Sequence, residues 1–346
     1  MIPLETQTLF AELLERLMGL EFQRTFGELS GSFGKKTKDG KDHWYFRTSE
    51  GAQGRSEFYL GADDEKTRRR MAEYSSLKRE SEEIAGALNR MASMLMLGGC
   101  AATDHATAKV IRALASSGLF RQGGVLVGTH AFVAMGNLLG VRWRGASRTQ
   151  DIDVASFRTL EVALPPMEEG VWSTLESLNM GFLPTPGLNP KHFSTSYSIR
   201  GQKLRVDLLT TASRRGPFSP VFLPRFKAAA LPMLFMDYLL EQPVEAMVIN
   251  GGATLVRIPR PAHFGFHKLL VSDERPVTEQ AKARKDMEQA FEVLEYLLEI
   301  RPADVELAFD RLIAKKLHQR VVNKIKSSFS NGTALVGFIQ NRMRKS

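Results

Sequence analysis

The segment Asp151-Ile152-Asp153 constrains this chain more than any other. Its surroundings, Ile152 and Val154, read as a buried strand, and two acids one residue apart on a strand point to the same side. A carboxylate in such a strand is costly unless it has a partner. A divalent cation is the natural one, because carboxylate oxygens are hard ligands. Upstream, Val125-Leu126-Val127 reads as a short buried strand running into Gly128-Thr129 and a helix to about Leu139. Gly128 allows close approach of a phosphate, and the helix N-terminus beginning near Thr129 offers free backbone N–H groups to anions. Downstream, Leu204 to Leu209 reads as another strand, with Arg205 and Asp207 on one face and Leu204, Val206 and Leu208 on the other. If the two strands adjoin, Asp207 lies beside the acid pair. It would then complete a two-metal site or serve as general base for an attacking hydroxyl.

The 346 residues suffice for two or three domains, and a formal net charge of +9 with a pI near 9.6 favours a polyanionic partner. The single cysteine, Cys100, excludes an internal disulfide framework and suits a reducing, cytoplasmic setting. Glu5, Glu12 and Glu15 make the N-terminus a poor signal peptide, and the apolar run 228–236 is too short to span a bilayer. No zinc-type Cys/His spacing occurs.

Three regions follow from the texture of the chain. Residues 1–118 read as an accessory helical region carrying a β-hairpin. It has an amphipathic helix over 4–28, a Gly- and Lys-rich turn region over 31–40, strands at 43–47 and 56–61 joined by a Gly-rich link at 51–54, and one or two helices over 63–97. Residues 119–258 read as an α/β core, and 259–346 as a C-terminal helical bundle beginning at Pro261, with one helix over 303–327 and a basic tail. The expected class is therefore α+β, with a mixed sheet at its centre. The hairpin's aromatics and flanking Lys35, Lys36, Lys38, Lys41, Arg47 and Arg55 suit either a nucleic-acid platform or a small sheet packed on the core.

A strand, Gly128-Thr129 and a helix, then Asp151-x-Asp153, then Asp207 on a later strand: this pattern resembles the nucleotidyltransferase superfamily, with its DNA polymerase β-type fold. The resemblance implies that Asp151, Asp153 and Asp207 hold two Mg²⁺ ions and that Gly128 and Thr129 hold the triphosphate of an NTP such as ATP. Thr129 stands where the family more often has Ser, and the connection from Thr129 to Asp151 is longer than usual. Arg257-Ile258-Pro259-x-Pro261, His267-Lys268-Leu269 and Lys282-x-Arg284-Lys285-Asp286-x-x-Gln289 resemble the bacterial branch that includes abortive-infection and toxin nucleotidyltransferases. That likeness implies a nucleotide contact by Lys268, with Asp286 close by. It also implies a toxin–antitoxin or phage-defence role, with a protein antitoxin as a partner. Leu60-Gly61-Ala62-Asp63-Asp64 is similar to the N-terminal portion of an uncharacterised bacterial nucleotidyltransferase-like group.

Each of these residues has a plainer reading. Asp-x-Asp also serves as a turn or cap device, Lys268 as a surface lysine, and Asp286 as a helix-surface partner of Lys282 or Arg284. Arg142, Arg144 and Arg148, before Asp151, suit a solvated loop as well as a phosphate grip. His130 and His267 read as structural. The leading expectation is Mg²⁺-dependent transfer of an NMP from an NTP to RNA, the 3′ end of tRNA first, with a protein or a small molecule such as an aminoglycoside behind it. The competing expectation is an inactive protein that binds nucleic acid or a partner. A metal-dependent hydrolase ranks below both, because it would leave the Gly-Thr–helix element idle.

Overall fold

The computed structural model describes residues 1–22, 31–38, 41–48, 57–144, 149–158, 167, 169–185, 193–212, 219–329 and 332–344. Helix α1 (Leu4–Phe22) comes first, followed by an antiparallel sheet in the order β1 (Gly31–Lys38), β2 (Lys41–Thr48), β3 (Glu57–Ala62). The stretch 31–40 was expected as a turn. Its first eight residues instead form β1, because β2 supplies a full ladder of backbone partners that outweighs the poor strand propensity of Gly and Lys. The link 51–54 lies outside the described residues.

Helix α2 (Glu65–Leu97) is a single helix, capped by Asp64, whose carboxylate accepts from the Thr67 N–H at 2.7 Å. Helix α3 (His105–Ser116) is capped in the same way by Asp104. The central elements are β4 (Val125–Val127), α4 (Gly128–Leu139), β5 (Asp151–Ser156), α5 (Val171–Ser177), β6 (Phe182–Pro184), β7 (Ser196–Ile199), β8 (Arg205–Thr211), β9 (Val221–Leu223) and β10 (Ala228–Met233).

The seven strands β4 to β10 form one mixed sheet with a spine of β4-β5-β8-β10-β9. Strand β4 is antiparallel to β5, β5 and β10 are parallel to β8, and β7 runs antiparallel along the first part of β8. The fold is thus α+β with a mixed sheet. The short helix α6 (Met236–Leu239) leads to a separate hairpin, β11 (Val244–Ile249) and β12 (Ala253–Ile258).

Helices α7 (Pro261–Glu274), α8 (Gln280–Ile300), α9 (Pro302–Ala314), α10 (His318–Ser328) and α11 (Ala334–Arg344) complete the chain. The single helix expected over 303–327 is two, α9 and α10, with Lys316 between them at φ 59°. A left-handed residue cannot continue a right-handed helix.

One apolar core runs through both the sheet and these helices. Ile152, Val154, Val206 and Leu208 on the strands, Phe132 on α4, and Phe264, Leu294 and Phe309 on the C-terminal helices are all buried in it. The inner halves of β5 and β8 are therefore fixed in register by burial, which leaves their other halves to position polar groups. A smaller cluster joins Phe10 and Leu13 of α1, Leu95 of α2, and Met247 and Ile249 of β11. No described helix is long and apolar enough to cross a membrane.

Candidate active site

The alternation of β5 sends Ile152 and Val154 into the core and turns Asp151 and Asp153 the other way. Asp153 is in register with Val127 of β4 on one side and with Asp207 of β8 on the other. Neighbouring strands lie about 4.8 Å apart, so Asp153 and Asp207 stand side by side on one sheet face. Burial first, and the neighbouring charge of Asp207 second, raise the Asp153 carboxyl from 3.8 to about 7, with Lys268 and Arg205 pulling it back. Two carboxylates this close repel unless a proton or a cation lies between them.

Gly128 closes the third side. It sits at φ 67°, and a Cβ built there would lie 2.4 Å from Asp153 Oδ2. Only glycine combines that backbone with that contact. Helix α4 starts at this residue, and Val127 offers its first turn no side-chain cap, so free N–H groups open beside the acid pair. Thr129 follows, largely buried. On the far side of Asp207, its register partner Ser196 carries a buried hydroxyl with no hydrogen-bond partner.

The long connection from Thr129 to Asp151 does not hold Gly128 and the acids apart. Its start is packed as a strut. Trp143 stacks on Phe132 at 5.2 Å, meets Tyr296 edge-on, and donates Nε1–H to the Phe132 carbonyl at 2.7 Å. Arg142 donates to the Gly99 carbonyl at 2.8 Å, so this arginine ties the strut to the α2–α3 turn. Arg144 is exposed, and Arg148 lies outside the described residues.

Lys268 of α7, partly buried, and Asp286 of α8, fully buried, meet at 2.6 Å among the packed helices. Arg275 holds the second oxygen of Asp286 at 3.0 Å, while Lys282 pairs instead with Glu279 at 2.9 Å. Asp286 is thus a buried strut for Lys268, not a surface partner of Lys282. The Lys268 charge acts on Asp153, opposing the rise of its carboxyl.

Lys285, one residue before Asp286, was not singled out as a site residue. Burial and the charge of Lys268 pull its ammonium down, while Asp286, Asp151 and Asp153 pull it up, so it faces the same cluster. Its position in Lys285-Asp286 was the only sequence signal. His130 and His267 are both buried and kept neutral, pushed by burial to about 4 and about 3.

Not every residue converges. Asp151 sits exposed at the start of β5, paired in register with Arg205. Asp207 forms an ion pair with Arg205 at 2.5 Å. Among the described residues, no group of three His, Cys, Asp or Glu side chains is close enough to hold a metal ion. The donor set nonetheless fits a hard divalent cation. It offers two adjacent carboxylates, one of them driven toward protonation by burial and then by the other, a third acid two residues away, and the orphaned Ser196 hydroxyl.

Residues 105–314, well over half of the chain, match a family of proteins described as nucleotidyltransferases. A solved structure, the solution structure of the antibiotic-resistance factor ANT(2'')-Ia, is similar at 17% identity, over 62% of this chain and 97% of that one, with a TM-score of 0.33. No curated protein matches the chain.

Proposed function

We infer the activity of this site from one premise: the chain belongs to the nucleotidyltransferase family that its residues 105–314 match. The enzyme is a nucleotidyltransferase, and its reaction is read here as Mg²⁺-dependent transfer of an NMP from an NTP, with release of pyrophosphate, to an RNA acceptor. The 3′ end of tRNA is the leading acceptor. The observation that carries this reading is the register pairing of Asp153 with Asp207 against the glycine-opened start of α4.

Phosphoryl-type transfer needs positioned phosphates and compensated charge more than covalent help from the protein. Asp153 and Asp207, with Asp151 at the strand entrance, are the residues that would hold Mg²⁺. When bound, the ions would neutralise charge on the triphosphate and bring nucleophile and leaving group into line. Gly128 and Thr129 open the α4 N-terminus to phosphate oxygens. Lys268 is held in place by Asp286, which Arg275 braces from behind, so its ammonium meets the phosphates without first paying a large conformational cost. Lys285 adds a second cation on the same side. In the alternative role, Asp207, beside the unpartnered Ser196 hydroxyl, would take the proton of the attacking hydroxyl as general base. An acceptor that is polyanionic agrees with the net charge of +9.

The ion pair of Asp207 with Arg205 favours the rival reading, an inactive binder in which arginine substitutes for metal. Labelled NTPs, Mg²⁺ and total RNA decide between them. The wild type should label RNA, and Asp153→Asn and Asp207→Asn should lower the rate at least about 10³-fold. If the wild type labels no acceptor with any NTP, the rival reading stands.

A further inference from the structure

The sheet β1-β2-β3 lies outside the residues that match the family, and its register sorts its side chains sharply. On one face, Lys35 pairs with Asp42 at 2.6 Å and with Asp63 at 3.0 Å. Arg68 also pairs with Asp63, and Trp44 donates its indole N–H to the same carboxylate. Phe33 shares that face. Asp42 and Asp63 are thus engaged on the side turned to the start of α2, while Glu57 of β3 lies in register with Arg47 on the opposite face. The opposite face carries Lys36, Lys41, His43, Tyr45 and Arg47, alternate residues of β1 and β2. Lys36, Lys41 and Arg47 are exposed. Lys36 Nζ lies 4.9 Å over the Tyr45 ring. Arg47 lies across Gly34, where a Cβ would come within 2.6 Å of its guanidinium carbon. That glycine keeps the face flat between the tyrosine and the cations.

We propose that the face bearing Lys36, Lys41, His43, Tyr45 and Arg47 binds a single-stranded segment of the RNA acceptor, with the tyrosine ring as a stacking surface and the cations on the phosphates. The proposal rests on the reading of the acceptor as RNA. A flat β surface that interleaves an aromatic ring with basic side chains suits unpaired bases, which stack whatever their sequence. A membrane would call for large apolar side chains on the docking face, and here Phe33 and Trp44 lie on the other one.

The test is fluorescence anisotropy of a labelled oligouridylate with the full-length protein across a salt series. The Lys36→Ser/Lys41→Ser/Arg47→Ser variant should bind at least about 10-fold more weakly, with a log–log salt slope shallower by about 2, three lost contacts at roughly 0.7 each. Tyr45→Leu should weaken binding and leave that slope unchanged. The proposal is overturned if the triple variant, with an unchanged circular dichroism spectrum, keeps wild-type affinity and slope. It is equally overturned if the wild type binds phosphatidylserine vesicles and leaves oligouridylate free. RNA labelling that survives in the triple variant with unchanged KM sinks this surface alone. RNA binding through the sheet without any labelling sinks the transfer reaction alone.

Discussion

Asp153 is where stability and activity conflict. Its carboxyl is raised in the folded metal-free protein, so the folded state holds that proton more tightly than the unfolded chain does. Stability from this group is therefore largest near pH 4 and is lost as pH rises to about 7. Asp153→Asn, which cannot ionise, should melt higher than the metal-free wild type at pH 8, by about 2–4 °C per kcal/mol recovered. The advantage should shrink as pH falls toward 4, while transfer activity is lost at every pH. Thermal melts across pH check this, and an equal or lower melting temperature for the variant at pH 8 would contradict it. Gly128→Ala makes the complementary case. The new Cβ would meet the Asp153 carboxylate at 2.4 Å on a backbone at φ 67°, so either the acid or the first turn of α4 must move. The expected result is a loss of at least about 100-fold in kcat/KM with the fold intact by circular dichroism, because a displacement of about 1 Å at a reacting centre costs that much.

At the scale of elements, the two cations of the site depend on how α7 and α8 pack. Gly265 on α7 faces Leu294 on α8 so closely that a Cβ would lie 2.7 Å from Leu294 Cγ. Gly265→Ala should part the helices, loosen the Lys268–Asp286 pair, and raise the KM for NTP several-fold without touching any acid. Titrating NTP binding to the variant measures it, and unchanged affinity would separate Lys268 from the nucleotide. Removing the strut with Trp143→Ala should cost about 3 kcal/mol of stability, read by urea unfolding.

The strands that hold the acids were legible because burial forces period-two alternation: Ile152 and Val154, or Val206 and Leu208, leave no other register. Strand β1 was not, since Gly31 to Lys38 has no such pattern and forms only through β2. Nor was the Asp286–Arg275 contact, because a pairing between the end of one helix and the middle of the next depends on their packing and leaves no periodic trace. The Arg142 anchor on Gly99 is equally long-range, which is why a tied-down strut resembled a loop in the sequence.

At the scale of the molecule, a single core shared by the mixed sheet and the C-terminal helices fixes the acids of β5 and β8 relative to the lysines of α7 and α8. That shared core brings together the four segments of the proposed site. The β1-β2-β3 sheet lies outside the residues that match the family. Asp153, Asp207 and the start of α4 are proposed to form the nucleotide site. The direct measurement is a crystal structure with Mg²⁺ and a non-hydrolysable NTP. Metal is expected at about 2.1 Å from oxygens of Asp153 and Asp207. The triphosphate should lie against Gly128 and Thr129, with Lys268 on a phosphate and Arg205 turned away from Asp207. A nucleotide seated elsewhere, with the Arg205–Asp207 pair intact and no metal on Asp153, would contradict it.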